Sequence, residues 1–156
     1  MRSTRHTRQP ATGAPAATAE LTSTGDAEDA PVVPLGRFLL EPAGSAIRAR
    51  LLGDLARSAG AGMLSAGIAY LTGDAVPETP FLTAFEVVEV LPLDERRIAR
   101  VLRDRGIGRL EIKKRGVDID PAAFRKRLSP RGEGEATLIL APVGGRRIAI
   151  LANRVP

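Results

Sequence analysis

An α+β fold, a mixed sheet covered by helices, is predicted by three observations along this 156-residue chain. Strand-like and helix-like apolar patterns are interspersed after residue 36 rather than segregated, which favours helices packed on a sheet. Two β-rich runs near the C-terminus, 136–142 and 146–153, are joined through Gly144-Gly145, a pair that takes the positive φ angles of a tight turn, so a C-terminal β-hairpin is expected. Residues 1–35 carry hardly a large apolar side chain, so nothing there offsets the entropy of ordering, and a disordered low-complexity tail is expected ahead of one domain over 36–156. A domain of that size can bury about 65% of its unfolded surface without staples.

Taken in order, Arg37-Phe38-Leu39-Leu40 reads as a short strand. Glu41-Pro42 opens a helix, with Ile47, Leu51, Leu52 and Leu55 on its apolar side and Gly60 as its stop. Met63 to Thr72 alternates weakly and ends at the Gly73-Asp74 turn. Phe81 to Leu91 contains Phe85, Val87, Val88 and Val90, the pattern of a central strand apolar on both faces. The best-marked helix follows: Asp94 caps it, Ile98, Val101 and Leu102 face inward, Arg96, Arg97, Arg100 and Arg103 project outward, and Gly106 stops it. Leu110 and Ile112 form one face of the next strand. Asp120-Pro121 is an N-cap followed by proline at the first helical position, and Phe124 with Leu128 gives that helix its apolar stripe.

The chain contains no cysteine, which excludes disulfides, thiolate metal sites and cysteine nucleophiles, and makes a reducing cytoplasm the simplest setting. No apolar run approaches the ~20 residues that cross a bilayer, so no membrane partner is expected. Net charge is +5 and is unevenly placed. Residues 96–131 hold thirteen Lys/Arg against four Asp/Glu, whereas residues 37–95 hold four Arg against eight Asp/Glu. A field divided in this way attracts and steers polyanions. Coding bias accounts for arginine over lysine, but not for the clustering.

Catalytic constellations are weak. Gly60-Ala61-Gly62, Gly106-Ile107-Gly108 and Gly132-Glu133-Gly134 lack the strand, third glycine and helix of a dinucleotide crevice, and no P-loop sequence occurs, so they read as turns and no cofactor is expected. Asp118 and Asp120 have no histidine or third converging carboxylate beside them, and Asp120 already has a capping role, so no metal site is expected. Glu86 and Glu89, three apart on a strand, are expected on opposite faces and hence not as an acid–base pair. The single histidine, His6, lies in the tail. Binding is the function that remains, through Arg109, Lys113, Lys114, Arg115, Arg125, Lys126 and Arg127, cations that recur on successive elements. With few aromatic side chains, such a surface contacts nucleic acid through its backbone and shape rather than its bases.

Glu41-Pro42 with Ile47-Arg48-Ala49, Ile68 to Gly73, Thr79-Pro80-Phe81, Phe85-Glu86-Val87, Gly108 to Asp118 and Gly145-Arg146-Arg147 together carry a recognisable pattern. It resembles the THUMP-like domain at the C-terminus of a group of bacterial class I S-adenosylmethionine-dependent methyltransferases. The resemblance spans about residues 36–155, with Lys113-Lys114-Arg115-Gly116-Val117 its most specific part. It implies an RNA-binding accessory domain for tRNA or rRNA, with the methyltransferase catalytic subunit supplied in trans. Two alternatives accompany it: a protein-interaction module using an exposed sheet edge, and a C-terminal fragment of such an enzyme.

Overall fold

The computed structural model describes residues 4–9, 17–22 and 30–156. The chain divides into two compact units, Met1–Ala84 and Phe85–Pro156. Within the stretch expected to be disordered, strands β1 (Thr4–Gln9) and β2 (Ala17–Thr22) form an antiparallel ladder that sets Thr4 opposite Thr22 and Gln9 opposite Ala17. The rest of that stretch, up to residue 29, lies outside the described residues.

In the first unit, β3 (Phe38–Pro42), β4 (Gly62–Ser65) and β5 (Ile68–Gly73) make an antiparallel group with β5 in the middle. Thr72 ties it together: its hydroxyl donates to the Phe38 carbonyl at 2.8 Å and accepts from the Gly36 amide at 2.8 Å. The segment from Met63 to Thr72 is two strands rather than one alternating run, because Ala66-Gly67 turns the chain and Gly67 supplies φ +73°. The helix expected from Glu41 to Gly60 is likewise two, α1 (Gly44–Arg48) and α2 (Leu52–Ala59). Pro42 ends β3 instead of opening the helix. The break falls at Arg50, whose φ of +57° is left-handed, while Leu51 N–H reaches back to the Ala46 carbonyl at 3.0 Å and closes the first helix. Apolar periodicity continues through this break because Ala46, Leu51 and Leu55 are all buried, which is why the pattern read as a single helix.

The second unit contains most of β6 (Leu82–Pro92), then α3 (Glu95–Asp104), β7 (Ile107–Lys114), α4 (Pro121–Leu128), β8 (Gly134–Val143) and β9 (Arg146–Arg154). Its strands lie in the order β6-β9-β8-β7. β8 and β9 are the expected hairpin, with Gly144 and Gly145 at φ +57° and +77°. β9 is antiparallel to β6, and β7 runs parallel to β8, so α4 is the crossover of a parallel strand pair. The mixed α+β class is thus present in the observed ladders. Ile98 and Leu102 from α3, Phe124 and Leu128 from α4, Leu110 and Ile112 from β7, Leu138 and Leu140 from β8, and Leu151 from β9 form one apolar core. Both helices therefore cover one face of these strands. Both ends are marked as the sequence implied: Asp94 accepts from Arg97 N–H at 3.0 Å, Asp120 accepts from Ala122 N–H at 3.1 Å, and Gly106 is left-handed at φ +65°.

β6 has a strand on either side of it, as expected of a central strand, while two other expectations about it are corrected. The doubly buried strands are β8 and β9, whose middle residues Leu138 to Ala141 and Ala149 to Ala152 are buried in unbroken runs; on β6, Val88 and Val90 are 38% and 47% exposed. The second correction follows from a bulge between Val87 and Glu89, which adds one residue and resets the parity of the strand. Glu86 opposes Asn153 and Glu89 opposes Leu151, two residues apart on the partner, so the two carboxylates share a face. Glu89 has Arg105 for a partner at 3.8 Å.

Candidate nucleic-acid interface

The seven cations singled out from the sequence reach different places. On β7 the alternation sends Leu110 and Ile112 into the core and leaves Arg109 and Glu111 exposed and Lys113 half-buried on the other side. Lys113 Nζ lies 3.4 Å from Glu111 Oε1 and 5.9 Å above the Phe85 ring. Lys114, of opposite parity, turns to the helix side and donates to the Val117 carbonyl at 3.5 Å, closing the loop that leads to α4. Arg115 is half-buried, and its amide donates to the Leu140 carbonyl at 3.1 Å. On α4, Arg127 lies over the Phe124 ring at 5.5 Å and donates from Nε to Glu95 Oε2 at 3.1 Å, bridging the two helices. Arg125 and Lys126 are exposed.

Arg109 and Arg125 are the two that the structure brings together. They line a cleft of about 720 Å³ with Glu111, Glu135, Thr137 and Arg154. Arg154 was missed because only the order of the strands places the end of β9 near the start of β7. Nothing local in the sequence encodes a parallel β7–β8 pair.

A second cationic region lies on α3. Arg96, Arg97, Arg100 and Arg103 are all exposed, whereas Ile98 and Leu102 are buried. At 3.6 residues per turn the four fall within an arc of roughly 120°, opposite the buried pair. Glu95 is engaged by Arg127, and Asp94 by the Arg97 amide. The sequence reading recognised these arginines as outward-facing but did not count them as a site, although their i, i+4, i+7 spacing at 96, 100 and 103 was visible. Next to the end of α3, Arg103 and Arg131 flank a cleft of about 390 Å³ floored by Ala99, Leu102, Leu128 and Pro130.

Among the described residues no group of three His, Cys, Asp or Glu is placed to hold a metal, and no helix is long and apolar enough to cross a membrane. The two strand-to-helix turns of the second unit can be tested as a seat for S-adenosylmethionine. The β6–α3 turn is Leu93-Asp94, without glycine; the loop from β7 to α4 contains only Gly116; and at both helix starts an aspartate already occupies an early amide. These turns do not fit that group, which needs a glycine-lined crevice against a helix N-terminus.

Comparison with known proteins bears on the same region. Two S-adenosylmethionine-dependent methyltransferases of Mycobacterium tuberculosis, from strains CDC 1551 and H37Rv, are each 40% identical to this chain over 117 residues. That is 75% of this chain and 32% of theirs, so the chain spans about a third of the length of these curated relatives. A crystal structure from Porphyromonas gingivalis W83, assigned to the methyltransferases, superposes with a TM-score of 0.72 at 19% identity, over 90% of this chain and 35% of that one, a likeness of fold. Residues 82–154, covering β6 to β9, match the THUMP domain-like family. The stretch that matches this family is the one that carries the basic helices and both clefts.

Proposed function

We propose that this chain is a non-catalytic accessory module that binds structured RNA of the tRNA or rRNA class through its sugar–phosphate backbone and serves an S-adenosylmethionine-dependent methyltransferase. The observation that carries this reading is the placement of exposed cations over the α3–α4 layer and around the Arg109–Arg125 cleft. Counter-ion release from such a surface drives binding to any phosphate backbone. All five Phe and Tyr side chains, Phe38, Tyr70, Phe81, Phe85 and Phe124, are buried, so among the described residues none of these rings offers a platform for stacking bases, which favours recognition through phosphates and shape. The enzyme association is supported by the mycobacterial relatives, whose length leaves about two thirds of each outside the match. Within this surface, Arg109 and Arg125 act from the cleft and Lys126 from α4. Lys113, Lys114, Arg115 and Arg127 hold the β7 rim and the helix layer in shape while adding charge.

Mobility-shift titration of bulk tRNA at several salt concentrations tests the proposal. Contact with about four to six phosphates gives a slope of log affinity against log salt of roughly −3 to −5. Absence of binding at low salt overturns it. A second reading, docking of a protein strand, rests on one observation: β7 stands last in the strand order and pairs with β8 alone. Arg109, Glu111 and Lys113 on that edge are the charges that ordinarily keep other strands away.

A further inference from the structure

α3 and the cleft beside it share a geometry that the β7 rim does not have. Arg96, Arg100 and Arg103 follow one stripe of the helix, and at ~1.5 Å rise per residue they extend over about 10 Å. Three guanidinium groups over that length can meet on the order of three consecutive phosphates of one strand. The stripe ends at Arg103, where the surface changes character. Beyond it lies the 390 Å³ cleft, lined by apolar side chains together with Arg103, Ser129 and Arg131. Apolar surfaces with a few polar groups beside them are the ordinary form of a small-ligand site, and this volume admits a planar heterocycle. Since the Phe and Tyr rings are all buried, the planar groups that this face of the second unit offers to a base are guanidinium groups, and Arg103 and Arg131 line the same cleft.

We infer that α3 is a track for a single RNA strand, with successive phosphates on Arg96, Arg100 and Arg103 and one unstacked base set into the Leu102–Leu128 cleft between Arg103 and Arg131. This inference rests on the RNA reading above and narrows it to single-stranded or looped RNA at this face. A base held in a continuous duplex is not free to enter the cleft, so a duplex uses the track without the pocket. The pocket is sequence-tolerant, because every base presents a π-face to a guanidinium plane.

The test uses the full chain and two probes, a single-stranded oligoribonucleotide and a blunt RNA duplex of equal length, titrated across salt. Arg96→Gln/Arg100→Gln/Arg103→Gln removes three charges from an exposed helix face and is compared with Arg109→Gln/Arg125→Gln, with circular dichroism verifying that both fold. On single-stranded RNA the α3 variant is expected to reduce the magnitude of the salt slope by about 2. Arg131→Lys keeps the charge and loses the plane, so its expected effect is an unchanged slope with roughly tenfold weaker single-strand binding, in line with the ~1–3 kcal/mol that base stacking contributes, and no change on the duplex. If wild type binds but only the Arg109/Arg125 variant alters the slope, the α3 track is overturned and the RNA reading stands. If Arg131→Lys weakens both probes equally, the base pocket is overturned. If wild type binds neither probe, the RNA reading itself has failed.

Discussion

The two units use similar materials to different ends. From residue 30 to residue 84 the first unit has four Arg against four Asp/Glu, and two of its acids are tied to backbone or to a near neighbour: Asp74 accepts from the Arg37 amide, and Asp54, buried in α2, pairs with Arg57 at 3.0 Å. From residue 85 to 156 the second unit has sixteen Lys/Arg against ten Asp/Glu, and its surplus cations stand on exposed faces of α3 and α4. Polar side chains in the first unit close gaps in the backbone's hydrogen bonding. Those of the second create a field. The lesson is that net charge is informative only once the partnered charges are subtracted, because Arg127 and Lys113 contribute to the count yet already have carboxylates beside them.

The largest expected effect removes the platform on which the field is built. Phe124→Ala empties the centre of the α4 contact with the core and should cost about 3–5 kcal/mol, lowering both stability and RNA binding because Arg125 and Lys126 lose their fixed positions. Leu55→Ala in the first unit should also be costly, about 2–5 kcal/mol, yet leave the salt slope of RNA binding unchanged for the folded protein. Denaturant melts paired with binding titrations check both. A changed slope for Leu55→Ala would break the contrast between the units.

An intermediate effect belongs to Thr72→Val. The substitution is nearly isosteric but removes one acceptor and one donor, leaving the Gly36 amide and the Phe38 carbonyl without it; the cost should be about 1–3 kcal/mol, seen in the denaturation midpoint. Salt dependence of RNA binding should not move. The matching change on the basic side, Lys113→Glu with Lys114→Glu, should weaken binding about equally across RNA sequences, since phosphate contacts carry no base identity. A sequence-selective loss there would show that this rim reads bases.

What the sequence made legible is what depends on neighbours along the chain. The caps at Asp94 and Asp120, the stop at Gly106 and the β8–β9 turn at Gly144-Gly145 are local devices, and each is present. The break at Arg50 and the bulge between Val87 and Glu89 were not legible, because neither interrupts the apolar pattern that sequence reading follows. For the site, the basic segment was visible but its assembly was not. Lys114 and Arg127 are adjacent in character to Arg109 and Arg125, and only the strand order and helix packing separate those that line the cleft from those that bond to Val117 and Glu95.

The smallest effect sharpens the comparison within the basic unit by separating fold from field at one residue. Asp94 has two roles that act in opposite directions on RNA binding: its carboxylate holds the Arg97 amide at the start of α3, and its negative charge lies within two turns of Arg96, Arg97 and Arg100. Asp94→Ala deletes both and should cost about 1 kcal/mol of stability, within ~0.5–2 for caps of this kind. Asp94→Asn keeps the capping oxygen and deletes the charge, so stability should be nearly unchanged while RNA binding strengthens slightly at low salt, an advantage that disappears as salt is raised. Asp120→Asn is the matched control on α4, where the capping oxygen again bonds an early amide. Thermal melts with binding titrations at two salt concentrations distinguish the roles. If α3 is where the polyanion lies, Asp94→Asn gives the larger gain; an equal or larger gain from Asp120→Asn would move the contact surface from α3 to α4.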